Sequence, residues 1–353
     1  MAETKYIGQN YTPPDLVAKV TGKARWAEDF RAEGMLFAKL LLSPMPHARV
    51  RNIDASAALA IPGVKAVLTA DDLPDLGPNV ERALTNEPLY AGEPILAVAA
   101  VDELTAAEAV ERINVDLESL PFTVDPLEAL RPDGPSARTT GNVWGAPMPG
   151  GVGPGAASPL KTIKWTSEQF ADAEEGRLPM GEPTEEWSYG DLDAGFKSAD
   201  LVLDETFVVQ STGHHPMETR TAMAYWQNGK LYIHCSTQSV AQTLPNVARW
   251  CGIEPAQVVL ISEYTGGGFG SKGGGAVTTS IPALLSKKAN APVMMRITRE
   301  DESYIGRART NMNRYLTEFT GTFFLVFTIG CSVLVGTPMQ KPPTDHRGRG
   351  TSP

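Results

Sequence analysis

Cysteine is scarce: Cys235, Cys251 and Cys331 are the three in 353 residues. They are too few and too scattered for a disulfide framework or a cysteine-based zinc site. Basic blocks are lacking as well, and the formal net charge is −10. A nucleic-acid surface would show a lysine and arginine stripe, so that function class is excluded. The opening stretch, Met1 to Pro14, has no apolar core of the kind a secretory signal requires. A cytoplasmic, reducing setting is the expectation, for a chain long enough to hold two or three domains. No internal repeat is evident.

Glycine is what the sequence concentrates. Between Gly266 and Gly275, seven of ten residues are glycine, and among them stand Phe269, Ser271 and Lys272. Glycine costs backbone entropy and buries no side chain, so packing does not explain the run. A strand followed by such a loop brings bare N–H groups up to something small and electron-rich.

Short strands and helices alternate up to about residue 130. Strands are expected at Met35–Leu42, Val50–Ile53, Val64–Leu68, Pro94–Val101 and Ile113–Leu117. Asp54 is the expected N-cap of a short helix, and a second helix runs from Asp102 to about Arg112. Residues 131–195 read as a Pro/Gly-rich and acidic linker with one helix near Ser167–Glu175. Strands return at Leu201–Val209, Thr221–Trp226 and Lys230–Cys235, with a hairpin signal at Asn228-Gly229. A helix is expected over Ser239–Trp250, a strand at Gln257–Glu263, a helix near Val277–Lys288 and a last strand at Pro292–Ile297. The whole is an α+β chain.

Several functional patterns compete for the glycine run. A phosphate-binding P-loop needs Ser or Thr after the lysine, and Gly273 stands there instead. Gly268-x-Gly270-x-x-Gly273 fits the dinucleotide fingerprint in spacing, although the following strand ends at Arg299 rather than an acid. A plain surface loop is the third reading. His214, His215 and Glu218 have the look of a metal cluster, but no second histidine completes a zincin pattern, so a structural histidine is the simpler reading. Glu218 and Arg220 read as a surface pair. Ser236 and Thr237 suit helix capping, which leaves the Gln238 amide unexplained. Cys235 and Cys251 read as buried small hydrophobes.

Three stretches in this order carry a resemblance: His215-Pro216-Met217-Glu218-Thr219-Arg220, Ser236-Thr237-Gln238, and Gly266 to Lys272. Together they resemble the molybdopterin-binding large subunit of xanthine dehydrogenases, aldehyde oxidases and aerobic carbon monoxide dehydrogenases. Lys19 to Ala24, Ser43-Pro44, His47 to Val50, Pro62 to Val64, Tyr90 to Pro94 and Leu120-Pro121 resemble that family's a/b hammerhead domain. The similarity covers about residues 5–305.

The resemblance implies an a/b hammerhead domain at 1–130 and the linker at 131–195. The first, incomplete part of a molybdopterin-binding α/β domain would occupy 196–310. It implies a molybdenum–molybdopterin cofactor whose oxo ligand is met by Gln238 and whose coordination sphere is lined by Gly267, Gly268, Phe269 and Gly270, with Phe269 keeping water out. No protein metal ligand is implied. The implied reaction is oxidative hydroxylation of a small molecule such as an aldehyde or N-heterocycle. Electrons would leave through an Fe–S subunit and an FAD subunit of a heterotrimer, itself dimerised. Members of the family are usually about twice as long as this chain. The general base belongs to the half not seen here, so no catalytic residue is assigned. Ser271 replaces a usual glycine. A dinucleotide-binding oxidoreductase and a non-catalytic or membrane-tethered remnant are the other functions considered.

The tail differs. Met312 to Cys331 resembles the first helix of a bacterial aquaporin, and Phe319–Thr337 carries no charge across 19 residues, about a bilayer-spanning length. A fused or truncated reading frame, a membrane tether and a buried hydrophobic helix are the three readings of residues 311–353.

Overall fold

The computed structural model describes residues 7–8, 10–76, 82–136, 164–172, 189–203 and 213–305. Its strands are β1 (Leu36–Leu42), β2 (Ala48–Asp54), β3 (Val64–Thr69), β4 (Pro94–Ala100), β5 (Asn114–Ser119), β6 (Ala222–Gln227), β7 (Lys230–Cys235), β8 (Val258–Ile261) and β9 (Val293–Met295). The helices are α1 (Leu16–Val20), α2 (Ser56–Leu59), α3 (Glu103–Glu111), α4 (Pro126–Leu130), α5 (Ser167–Asp172), α6 (Leu192–Ser198), α7 (Val240–Cys251), α8 (Ser280–Ala289) and α9 (Arg299–Ile305).

Seven strands form one sheet in the order β3-β4-β1-β9-β6-β7-β8, while β2 and β5 pair separately. The seam of the large sheet lies between β1 and β9, which run parallel with Leu36 opposite Val293 and Ala38 opposite Met295. Strands from residues 1–130 and from residues 196–310 therefore share one hydrogen-bonded ladder.

Period-two alternation divides the apolar side chains between two cores. Ala66, Leu68, Ala97 and Ala99 join Ile281 and Leu285 of α8 in one cluster. Val67, Leu96 and Val98 join Ala109 of α3 in another. Every residue of β4 is buried, which is why its sequence is an unbroken apolar run rather than an alternation. Burying a side chain such as Leu285 contributes about 1.5–3 kcal/mol. On the other half of the sheet, Ala224, Leu231 and Ile233 pack under Val247 and Ala248 of α7. The indole N–H of Trp226 donates to the carbonyl of Ala283 at 2.9 Å and pins β6 to α8.

The β6–β7 hairpin turns at Asn228-Gly229, both at positive φ, as the sequence requires. Gly252 closes α7 in the left-handed region at φ 65°. The helix expected from Val277 begins as a 3-10 turn at Val277–Thr279 and becomes α-helical at Ser280. Asp54 is not itself the N-cap of α2. Ala55 holds that place, and an Asp54 carboxylate oxygen accepts from the Ser56 N–H at 3.0 Å.

Residues 165–172 and 189–203 fall in a second compact unit. There Trp165 meets Phe170 edge-on, and Asp191 caps α6 by accepting from the Ala194 N–H at 2.9 Å. The acid-rich stretch had suggested α5 but gave no sign of α6. Of the strand expected at Leu201–Val209, residues 201–203 are not in a strand and the rest lie outside the described residues. The hydrophobic segment 319–337 also lies outside them. Among the described residues no helix is long and apolar enough to cross a membrane.

Candidate functional site: a glycine-loop wall

The glycine loop leaves the sheet at the end of β8, its edge strand, and leads to the turn that opens α8, with the Asn246 side chain of α7 donating to the Gly274 carbonyl at 2.9 Å. Its shape depends on what touches it. A Cβ added to Gly268 would lie 2.5 Å from the Gln238 amide carbon, and one added to Gly266 would lie 2.5 Å from the Cβ of Glu218. Gly267 and Gly270 also sit at φ 93° and 97°, where side chains are strained. Phe269 is itself left-handed at φ 51°. Close approach and backbone conformation, not flexibility, select glycine here.

Gln238 follows β7 and lies against the loop. Its side-chain Oε1 accepts from the N–H groups of Gly270 at 3.0 Å and Lys272 at 3.1 Å. Its own N–H donates to the Lys272 carbonyl at 3.0 Å. With the oxygen committed inward, the amide NH₂ has no partner among the described residues and is free to donate outward. Helix capping falls to Ser239, whose hydroxyl accepts from the Gln242 N–H at 3.3 Å. Ser236 and Thr237 are not caps. The Ser236 hydroxyl donates to a Glu218 carboxylate oxygen at 2.6 Å, and the Thr237 hydroxyl donates to the Lys272 carbonyl at 3.0 Å.

Glu218 and Lys272 hold the loop from below. One Glu218 oxygen accepts from the Gly266 N–H at 2.6 Å, and the other accepts from the Ala27 N–H at 3.3 Å. The ammonium of Lys272, 1% exposed, donates to the Glu218 carbonyl at 2.6 Å and to the Ser236 hydroxyl at 2.7 Å. It lies 3.7 Å from the Glu218 carboxylate. Burial pushes the pKa of Lys272 down, while the carboxylates of Glu218 and Glu302 push back.

Glu218 and Arg220 are not a surface pair. Arg220 is 5% exposed and its guanidinium pairs with Glu302 of α9, which is 4% exposed. The other Glu302 oxygen accepts from the Arg220 N–H at 3.0 Å, and the guanidinium also donates to the Ser271 carbonyl at 3.2 Å. The reason is topological. Burial turns Arg220 inward, and its partner comes 82 residues later in the chain.

Of the expected site residues, Gln238, Gly268 and Gly270 come together. Gly267 sits beside them, with Pro216 3.4 Å from its added Cβ. Phe269 stands at the apex but is 70% exposed, so among the described residues its ring borders an open face rather than a closed pocket. His214 and His215 lie in the turn next to the loop. No group of three or more metal-ligating side chains exists among the described residues. Cys235 and Cys251 are buried, and burial pushes both thiols up to about 12. Lys272, Arg220, Glu302 and Arg299 support the site, a role that the sequence did not suggest for any of them, although Lys272 and Arg220 stand within the motifs that carry the resemblance.

Known proteins resemble this chain in sequence and fold. Residues 21–121 match the aldehyde oxidase and xanthine dehydrogenase a/b hammerhead domain, and residues 176–317 match the molybdopterin cofactor-binding domain. The chain resembles the N-terminal part of the molybdopterin-binding large subunits of the xanthine dehydrogenase and aldehyde oxidase family. Among relatives, a probable hypoxanthine oxidase, XdhD, of Escherichia coli is 28% identical over 87% of this chain and 33% of its own length. The carbon monoxide dehydrogenase large chain of Afipia carboxidovorans is 31% identical over 72% of this chain and 30% of its own. In structure, the aldehyde oxidoreductase of Desulfovibrio gigas aligns with a TM-score of 0.64 at 26% identity, over 85% of this chain and 31% of that one. The chain thus spans about a third of the length of each of these three proteins.

The donor set suits this family's cofactor. No acceptor among the described residues takes the Gly267, Gly268 or Phe269 N–H groups, and the Gln238 amide adds a side-chain donor. The carboxylates of Glu218 and Glu302 beside the loop are both engaged by protein donors. Such a face presents donors without a competing anion, which fits a group bearing partly negative oxygen or sulfur ligands.

Proposed function

We propose that this chain supplies one wall of the molybdenum pocket in a molybdenum hydroxylase large subunit. Gln238 would donate its amide N–H to a ligand of the metal, and the backbone of Gly267, Gly268, Phe269 and Gly270 would line the coordination sphere. When bound, the cofactor supplies two-electron oxidative hydroxylation of an aldehyde, N-heterocycle or similar small molecule. The chain's part is to orient and hold. Preorganised donors need no rearrangement as charge shifts, which is how such a wall assists a reaction. Iron–sulfur and FAD subunits would take the electrons away, in a heterotrimer working in the cytoplasm. Since the chain covers about a third of relatives such as XdhD and the carbon monoxide dehydrogenase large chain, the general base and most pterin contacts are assigned to residues outside it.

The inward commitment of the Gln238 oxygen carries this reading, because it fixes the amide as an outward donor. The dinucleotide alternative loses its geometric basis. Its fingerprint needs the strand after the helix to continue the parallel sheet beside the first. Here β9 pairs with β1 and β6, and β6 and β7 separate it from β8.

The test is made in the complete enzyme with its partner subunits. Gln238→Ala should leave the fold and subunit assembly unchanged while lowering molybdenum content, measured by elemental analysis. Unchanged molybdenum and unchanged turnover would overturn the assignment. The isolated chain should hold little molybdenum; stoichiometric metal with substrate-dependent dye reduction would overturn the shared-pocket reading.

A further inference from the structure

The basic-acidic segment Arg299-Glu300-Asp301-Glu302 has no part in the proposed chemistry, yet two of its side chains grip the site. Arg299 and Glu302 stand three apart on α9, and so on one side of it. The Arg299 guanidinium donates to the carbonyls of Pro216 at 2.7 Å and Met217 at 2.9 Å. Glu302 takes the Arg220 N–H at 3.0 Å and pairs with its guanidinium. The helix therefore holds both ends of the five-residue stretch 216–220. The middle residue of that stretch, Glu218, is the one that touches the glycine loop, through the Gly266 N–H and the Lys272 ammonium. Arg220 adds a second contact, to the Ser271 carbonyl.

We infer that Arg299 and Glu302 are positioning residues, which set the shape of the 266–272 loop by splinting residues 216–220 against it. Two features make this a positioning role rather than general packing. Both contacts are directional hydrogen bonds to backbone groups, so they fix where the carbonyls of Pro216 and Met217 and the N–H of Arg220 point. They also reach the loop at its two ends, Gly266 and Ser271–Lys272, and leave its apex to the ligand. The link to cofactor chemistry rests on the function proposed above; the mechanical coupling does not.

Hydrogen exchange on the full chain without cofactor separates the two. The amides of Gly266, Gly270, Ser271 and Lys272 are hydrogen-bonded and report loop opening. Arg299 is exposed, so Arg299→Ala leaves the core untouched, and it should speed exchange at Gly266 by about fivefold or more. Arg299→Lys, which keeps a donor, should restore most of the protection. Glu302→Gln keeps an acceptor for the Arg220 N–H and should speed exchange at Ser271 and Lys272 by about tenfold. In both variants the amides of β6 and β7 should be unchanged. Unaltered loop exchange in Arg299→Ala would overturn the inference, whether or not Glu302→Gln folds. An equal rise in the loop and across β6 and β7 would also overturn it, because that pattern marks general destabilisation. In the assembled enzyme, low molybdenum content in Gln238→Ala alongside normal exchange at Gly266 and Ser271, whose amides do not bond to Gln238, would separate the cofactor reading from the splint.

Discussion

The strands β3, β4 and β1 at one end of the sheet and the glycine-loop wall, which leaves it at β8, are held together by opposite physics. In β4, seven consecutive residues are buried and contribute no charged group. Their stabilisation is non-directional and tolerates a change of side chain of similar size. At the wall, Glu218, Arg220, Lys272 and Glu302 are nearly or fully buried charges, each with specific partners. Buried charges lose so much hydration that a pair often gives no net stability. What they give here is direction: the carboxylate of Glu218 sets Gly266, and Arg220 sets Ser271. One region makes the fold stable, and the other uses that stability to hold a shape.

Removing one member of a buried pair should break this contrast most sharply. Glu302→Leu leaves the Arg220 guanidinium buried without its counter-charge, and about 3–5 kcal/mol of stability should be lost in denaturant unfolding. Arg220→Met combined with Glu302→Leu should recover most of that loss while the loop amides remain fast in hydrogen exchange. Recovery of loop protection in the double variant would show that apolar packing suffices to shape the wall. On the other side, Leu96→Ala in β4 should cost about 2–5 kcal/mol through a cavity. It should leave loop exchange, relative to global stability, as it was.

The same contrast decides what could be read from the sequence. Apolar runs such as Met35–Leu42 and Pro94–Val101 announced β1 and β4, and Asn228-Gly229 announced the hairpin, because those signals are local. The three motifs brought Gln238 and the glycine loop together correctly. The pairing of Arg220 with Glu302 was illegible, since nothing local ties residues 82 apart, and an arginine two residues after a glutamate reads as a surface pair. Ser236 misled for a related reason. Its hydroxyl looks like a cap, and only the folded position of Glu218 gives it another partner. The parallel pairing of β1 with β9 was likewise hidden, because it joins the two regions that the linker separates in sequence.

A smaller effect is expected at the surface of the wall. Gln238→Ala removes the acceptor for two backbone N–H groups, but Gln238 is exposed and water replaces it in part. The cost should be about 1 kcal/mol or less, with the change in molybdenum content far exceeding the change in Tm. A loss as large as that of Glu302→Leu would assign Gln238 to the scaffold instead.

The smallest effect tests where the two regimes meet. His234 of β7 is 8% exposed, lies 4.1 Å from the Phe30 ring between centroids, and its Nδ1 has no partner among the described residues. Burial lowers its pKa below 6.5, opposed by Glu263 and assisted by Arg25. In the window between the lowered folded value and 6.5, the unfolded chain binds more protons than the folded one. Stability from this residue is therefore intact above pH 6.5, declines as pH falls through that window, and is fully lost below the folded value. His234→Phe keeps an aromatic ring against Phe30 and removes the titration. The difference in Tm between the two proteins should then shift in favour of the variant as pH is lowered from about 7 to 5. A difference independent of pH would mean that His234 is hydrated in solution and belongs to neither regime.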